Sequence, residues 1–232
     1  MNEAPIAAKN DMTLVTASRV NQALTASIER RALRWMAEHA PCCVSSDGLT
    51  ILGLCAQIGA GICYAFSRHH RYVLLLAILC LVLNWLGDSM DGTLARIRKR
   101  ERPRYGFYVD HIVDVFGSIA LIAGLGYSGL LHWQTAAAML IAFLVLSSES
   151  YLATYTLSTF QLSQGIFGPT EIRILLIVGD LVALRNPYST LLGHRLLLFD
   201  MGGTIAAACM FLLAVSVTAR HTVQLYRQEP LP

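Results

Sequence analysis

The chain has 232 residues, enough for one sizeable domain, and its composition, 55% hydrophobic against 14% charged, lies outside the balance of soluble globular proteins. A formal net charge of +3 gives no reason to invoke nucleic acid, because the basic residues gather where membrane topology and anionic lipid already account for them. Membrane residence is the first expectation.

Residues 1–16 read as a flexible N-terminus without a cleavable leader, since the first ten residues are polar and the first long apolar run starts far downstream. Residues 17–43 read as an amphipathic juxtamembrane helix and linker, with Val20, Leu24, Ile28, Leu33 and Met36 three to five apart and arginines between them. Such a stripe suits a helix lying on the cytoplasmic membrane surface, or one packed on its own protein. The stretch "PCCVSSDGLT" ends that helix and offers Ser45, Ser46 or Asp47 as a cap for the next.

Apolar runs then recur at 48–67, 72–95, 107–131, 134–157, 172–184 and 198–219, most of them near the ~20 residues that cross a bilayer as helix. The expected fold is all-α: a polytopic membrane protein with six transmembrane helices forming one catalytic domain over 44–222, and a polar tail at 223–232. The fifth run is short and carries Asp180, so five spans is the competing count. No strand alternation of useful length and no internal repeat are visible. The six cysteines show no CxxC spacing and read as small packing residues.

With six spans and both termini inside, fourteen of the eighteen Lys and Arg residues fall on the cytoplasmic side, leaving only Arg68, Arg71, Arg185 and Arg195 outside. That obeys the positive-inside rule. It places Asp88 and Asp91 at the cytoplasmic end of the second span, and Asp110 and Asp114 at the cytoplasmic start of the third. A bacterial inner membrane is the expected location.

Ionisable groups at such depth are costly and mark function. Asn84, Asp88, Asp91 and Ala95 share one helical face, and Asp110 and Asp114 lie one turn apart on the next helix. A short loop makes the two spans antiparallel neighbours, so four carboxylates would repel unless cations sat among them. An all-oxygen set suits magnesium, manganese or calcium and disfavours zinc, and four carboxylates leave room for two ions, as in phosphoryl displacement. Gly92 and Ala95 bare the helix surface for a nucleotide, or serve tight helix packing. Arg96 is placed to hold a diphosphate, or is a topology signal.

The pattern Asp88-x2-Asp91-Gly92-x2-Ala95-Arg96, nine residues, then Gly106-x3-Asp110-x3-Asp114 resembles the signature of the CDP-alcohol phosphatidyltransferases at all eight of its fixed positions. The resemblance implies a homodimeric membrane enzyme of phospholipid biosynthesis that moves a phospho-alcohol unit from a CDP-alcohol to an acceptor hydroxyl, releasing CMP, with two Mg2+ or Mn2+ ions. It implies that Asp88, Asp91, Asp110 and Asp114 ligate the metals and that Asp114 also acts as general base. Gly92 and Arg96 would contact the nucleotide, together with Ala95 and Gly106 on the same surface, and Asp47 and Thr50 match the family's CDP-contacting residues at the start of the first span. Two features depart from the pattern. The Arg96 to Gly106 gap is nine residues where eight is frequent, and Pro103 stands where many members have serine or threonine. Arg102 and Arg104 are candidate phosphate ligands in that loop.

Glu171 and Arg173 at the start of the fifth span read either as a cap and ion pair or as acceptor contacts. Glu149 and Asp180 read as interhelical hydrogen-bonding groups or as the lining of an acceptor pocket. His111 points about 100° away from the carboxylate stripe. An aspartate-rich prenyltransferase and a divalent-cation transporter are the competing functions. The asymmetric motif spacing argues against the first, and the position of the acids at a helix end argues against the second.

Overall fold

A computed structural model of the chain describes residues 26–157, 169–191 and 194–229. The expected flexible terminus at 1–16 and the first part of the expected surface helix lie outside the described residues. Among the described residues, seven helices run in the order α1 (Ala26–Glu38), α2 (Ser46–Ser67), α3 (Val73–Ile97), α4 (Pro103–Tyr127), α5 (Trp133–Leu157), α6 (Pro169–Arg185) and α7 (Leu198–Gln228), with a hairpin of β1 (Tyr188–Leu191) and β2 (His194–Leu197) between the last two.

Five of these helices, α2, α3, α4, α5 and α7, are long and apolar enough to cross a membrane. Of the six expected spans, the one in α6 falls short of this measure. At 17 residues, α6 is shorter than a normal span, and Glu171, Arg173, Asp180 and Arg185 lower its hydropathy. Its contacts nevertheless extend along the bundle, from Arg173 beside Asp88 to Ala183 in the apolar cluster at the opposite end. The hairpin was not anticipated: Tyr188 pairs with Leu197 and Leu191 with His194, strands too short to show alternation. Helix α7 also runs past the expected limit of its span, to Gln228.

Two apolar clusters mark the two ends. Tyr64, Leu74, Ala77, Leu125, Leu131, Ala183 and Phe199 pack where α2 ends, α3 begins, α4 ends and α7 begins. At the other end Leu33 and Ala37 of α1 pack with Leu49 of α2 and with Met90 and Leu94 of α3. The α1 stripe therefore rests on the protein itself, while Arg30, Arg31 and Arg34 face outward and Trp35 is 63% exposed. An i, i+4 pair of small and branched side chains is enough to seat a short helix in this way.

Close backbone approach fixes how α2 lies on its neighbours. A Cβ on Gly87 would come within 2.6 Å of Gly53 N and of Leu49 O, so only glycine lets α2 lie against the turn of α3 that carries Asp88. Higher up, Gly124 of α4 rests directly on the backbone of Gly61. Small residues serve this purpose in membrane helices, where packing replaces the hydrophobic drive. Ser45 caps α2 by accepting a hydrogen bond from Gly48 N at 3.0 Å, and Pro103 occupies the first turn of α4, where a missing N–H costs nothing. The departure from serine or threonine at 103 is thus a helix-start residue.

Candidate functional site

The acidic end of α3 faces the first turns of α4, and the sequence periodicity translates into geometry. Asp88 of α3 and Asp110 and Asp114 of α4 are half-buried, and each offers a carboxylate oxygen within 4.8 Å of the others. They line a narrow cleft together with Thr50, Gly53, Leu54, Gln57, Asn84, Asp91 and Val113. Three like charges at this spacing repel strongly unless a cation joins them. An all-carboxylate donor set with hydroxyl and amide oxygens nearby fits a hard divalent cation and offers no soft ligand.

Asp91 lines the same cleft, but the three-carboxylate group forms without it. Its Oδ2 accepts a hydrogen bond from Thr50 Oγ1 at 2.6 Å and its Oδ1 one from Gly92 N at 2.5 Å. Ser46 Oγ donates to the Asp91 carbonyl at 3.0 Å. The first turn of α2 is thereby sewn to the aspartate turn of α3, which explains physically why threonine stands at 50.

The remaining sequence candidates are spread around the mouth. Asp47 lies in the first turn of α2 and is ion-paired with Arg102 of the α3–α4 loop. The hydrogen bond to Asp47 raises the Arg102 guanidinium further above its ordinary value, and the same guanidinium stacks 4.0 Å over Tyr105. Arg96 is exposed and donates to Thr93 Oγ1 at 3.2 Å, a turn beyond Asp91 and Gly92. Ala95 is half-buried, and Gly106 is exposed with open space where a side chain would stand. Neither is among the residues lining the cleft. The loop behind them is anchored by Arg98, which donates to the carbonyls of Ala40, Pro41 and Val44.

Several polar residues at the site were weighed differently, or passed over, in the sequence. Arg173 of α6 reaches Asp88 Oδ2 at 2.6 Å and Asn84 Oδ1 at 2.8 Å. Asn84 Nδ2 in turn donates to Gly53 O at 3.0 Å and to Gln57 Oε1 at 3.4 Å. Gln57, buried in the middle of α2, went unremarked in the sequence, although its seven-residue spacing from Thr50 puts both on one face of an otherwise apolar helix. Arg173 was legible as a lone cation at a helix start, but its partner lies 85 positions away. Glu171 is buried in the same turn.

Glu149, Asp180 and His111 are not among the residues lining the cleft. Glu149 Oε1 lies 2.5 Å from His221 Nδ1, joining α5 to α7, and Asp180, fully buried, accepts a hydrogen bond from Tyr64 at 2.9 Å. His111 stacks on Phe107 with ring centroids 4.1 Å apart and meets the edge of Tyr151. Its Nδ1 stands 3.8 Å from Asp110.

Comparison with known proteins follows the same residues. A sequence match of 32% identity over 128 residues joins the chain to an uncharacterized protein of Aquifex aeolicus (strain VF5), covering 54% of this chain and 59% of that protein. The chain thus matches less than two thirds of that relative's length. A family model, CDP-alcohol phosphatidyltransferase, matches residues 44–218, a segment that takes in α2 through most of α7 and every carboxylate of the cleft. The chain belongs to the CDP-alcohol phosphatidyltransferase family.

Proposed function

We propose that this protein transfers a phospho-alcohol group from a CDP-alcohol to an acceptor hydroxyl in phospholipid synthesis, releasing CMP, with two Mg2+ or Mn2+ ions at the acidic cleft. The observation that carries the proposal is the convergence of Asp88, Asp110 and Asp114 within 4.8 Å in one cleft, in a chain of this family. Asp91, on the rim of the same cleft, completes the ligand set, with Thr50 and Gly92 N holding its carboxylate in place. When bound, divalent cations supply the positive charge that offsets both the carboxylates and the donor diphosphate.

Asp114 is the general base, taking the proton from the acceptor hydroxyl as that oxygen bonds to the β-phosphorus and the bond to the CMP phosphate breaks. Gly92 and Ala95 leave room for the nucleotide on the α3 surface, and Arg96 meets its diphosphate. Asp47 and Thr50 contact the cytidine side from α2, with Arg102 released from Asp47 as the nucleotide arrives. Gly106, without a side chain, keeps the α4 side of the mouth open. Counting α6 as a sixth crossing places both termini and the cleft on the cytoplasmic side, where the nucleotide is water-soluble while the lipid product stays in the leaflet, and the enzyme works as a homodimer.

The test is release of CMP from CDP-alcohols by the purified protein with Mg2+ or Mn2+. Release that depends on Asp114 is the expected result. A wild-type protein that binds divalent metal yet yields no CMP from any CDP-alcohol and acceptor pair overturns the assignment.

A further inference from the structure

Outside the cleft, an acid on α1 links two other helices. Glu29 Oε1 accepts three hydrogen bonds: from Trp85 Nε1 at 2.8 Å, Ser89 Oγ at 3.2 Å and Thr170 Oγ1 at 2.9 Å. Trp85 and Ser89 are one turn apart on α3, and Thr170 opens α6, so a single oxygen from α1 joins both helices. Hydrogen bonds to an ionised carboxylate are about twice as strong as neutral ones, and a charge drawn this far into a bundle is costly without them.

The position of this knot gives it a consequence. Ser89 follows Asp88 directly, and Thr170 lies one turn before Arg173, whose guanidinium bonds Asp88 Oδ2 at 2.6 Å. The same guanidinium holds Asn84 at 2.8 Å. The α1 helix is itself seated on this part of α3, through Leu33 and Ala37 against Met90 and Leu94.

Resting on the metal assignment above, we propose that Glu29 is a positioning residue, pinning the first turn of α6 against α3 so that Arg173 holds the Asp88 carboxylate in the orientation from which it ligates a divalent cation. Groups behind a metal ligand fix its orientation and commonly set affinity by about 10- to 100-fold. Glu29 acts one step further back, through Arg173, so its effect belongs at the lower end of that range.

The experiment measures Mn2+ binding to the full chain in detergent by the spin-resonance signal of free Mn2+, alongside CMP release. Glu29→Ala and Thr170→Val are expected to weaken Mn2+ binding by about tenfold and threefold respectively, whereas Glu29→Gln, whose amide oxygen still accepts from Trp85 and Thr170, stays within about twofold of wild type. Thr170→Val removes one donor from a helix start and keeps the test decisive if Glu29→Ala fails to fold. Wild-type affinity in Thr170→Val and in folded Glu29→Ala overturns the proposal, as does equal impairment of the Gln and Ala variants, which would mean that charge and not bonding matters. A wild-type protein that binds no Mn2+ overturns it too. Glu29-dependent Mn2+ binding without CMP release from any CDP-alcohol sustains the positioning role while refuting the reaction assigned to the cleft.

Discussion

The two ends of the helices solve the problem of a buried acid in opposite ways. At one end Asp180 is sealed from solvent and accepts a hydrogen bond from Tyr64, a member of the apolar cluster with Leu74, Leu131 and Ala183. At the other, Asp88, Asp110 and Asp114 crowd within 4.8 Å around a cleft, with Asp91 on its rim. A single acid with a hydroxyl partner is a packing element that joins α6 to α2. A group of acids facing one another is stable only with added positive charge, part of which Arg173 supplies to Asp88. Burial alone therefore does not distinguish these carboxylates from one another, and the number of like charges within reach does.

The sharpest way to break this contrast is to neutralise one acid of the cleft. Asp114→Asn is expected to lower CMP release by about 10³-fold or more, at the strong end of general-base losses, with the variant still folded by size-exclusion chromatography. Substantial turnover by that variant removes the base from the mechanism. Chelation comes next: added EDTA should stop CMP release, Mg2+ or Mn2+ should restore it, and sodium chloride at equal ionic strength should not, as followed by coupled CMP detection. Gly87→Ala drives a methyl group onto the backbone of Gly53 and should cost about 1–3 kcal/mol of stability, read as a lowered unfolding temperature in detergent with reduced activity.

At the apolar end the expected signature is reversed. Tyr64→Phe removes the hydroxyl that Asp180 accepts from and should destabilise by about 1–3 kcal/mol, while kcat and metal activation stay unchanged. A loss of catalysis without a loss of stability there would erase the distinction between the two ends. The smallest effect belongs to the exposed Asp47–Arg102 pair: Arg102→Ala should leave the unfolding temperature unaltered, because solvent screens such pairs.

What could be read from the sequence was whatever repeats along a single helix. The 88, 91 and 110, 114 spacings fix which carboxylates share a face, and antiparallel neighbours then bring the faces together. Thr50 was named through the family resemblance alone, and its bond to Asp91 was not legible. The pairing of Arg173 with Asp88 and Asn84, and the knot around Glu29, join residues 56 to 141 positions apart, which no local periodicity encodes. The hairpin between α6 and α7 escaped because four-residue strands are shorter than any pattern that would reveal them, and α6, at 17 residues with charged groups along it, stays short of the length and hydropathy of the five other long helices.

The brevity of α6 has a consequence for the lipid around it. Seventeen residues rise about 26 Å, against a hydrocarbon core of about 30 Å, and Arg173 sits a single turn from the start of that helix. If α6 crosses, as proposed above, a bilayer flanking it would dimple by a few ångströms, one of the usual responses to a short hydrophobic stretch. The dimple falls beside Asp88, where Arg173 is held. Headgroups and water would thus be drawn down to the level of the carboxylates on that flank.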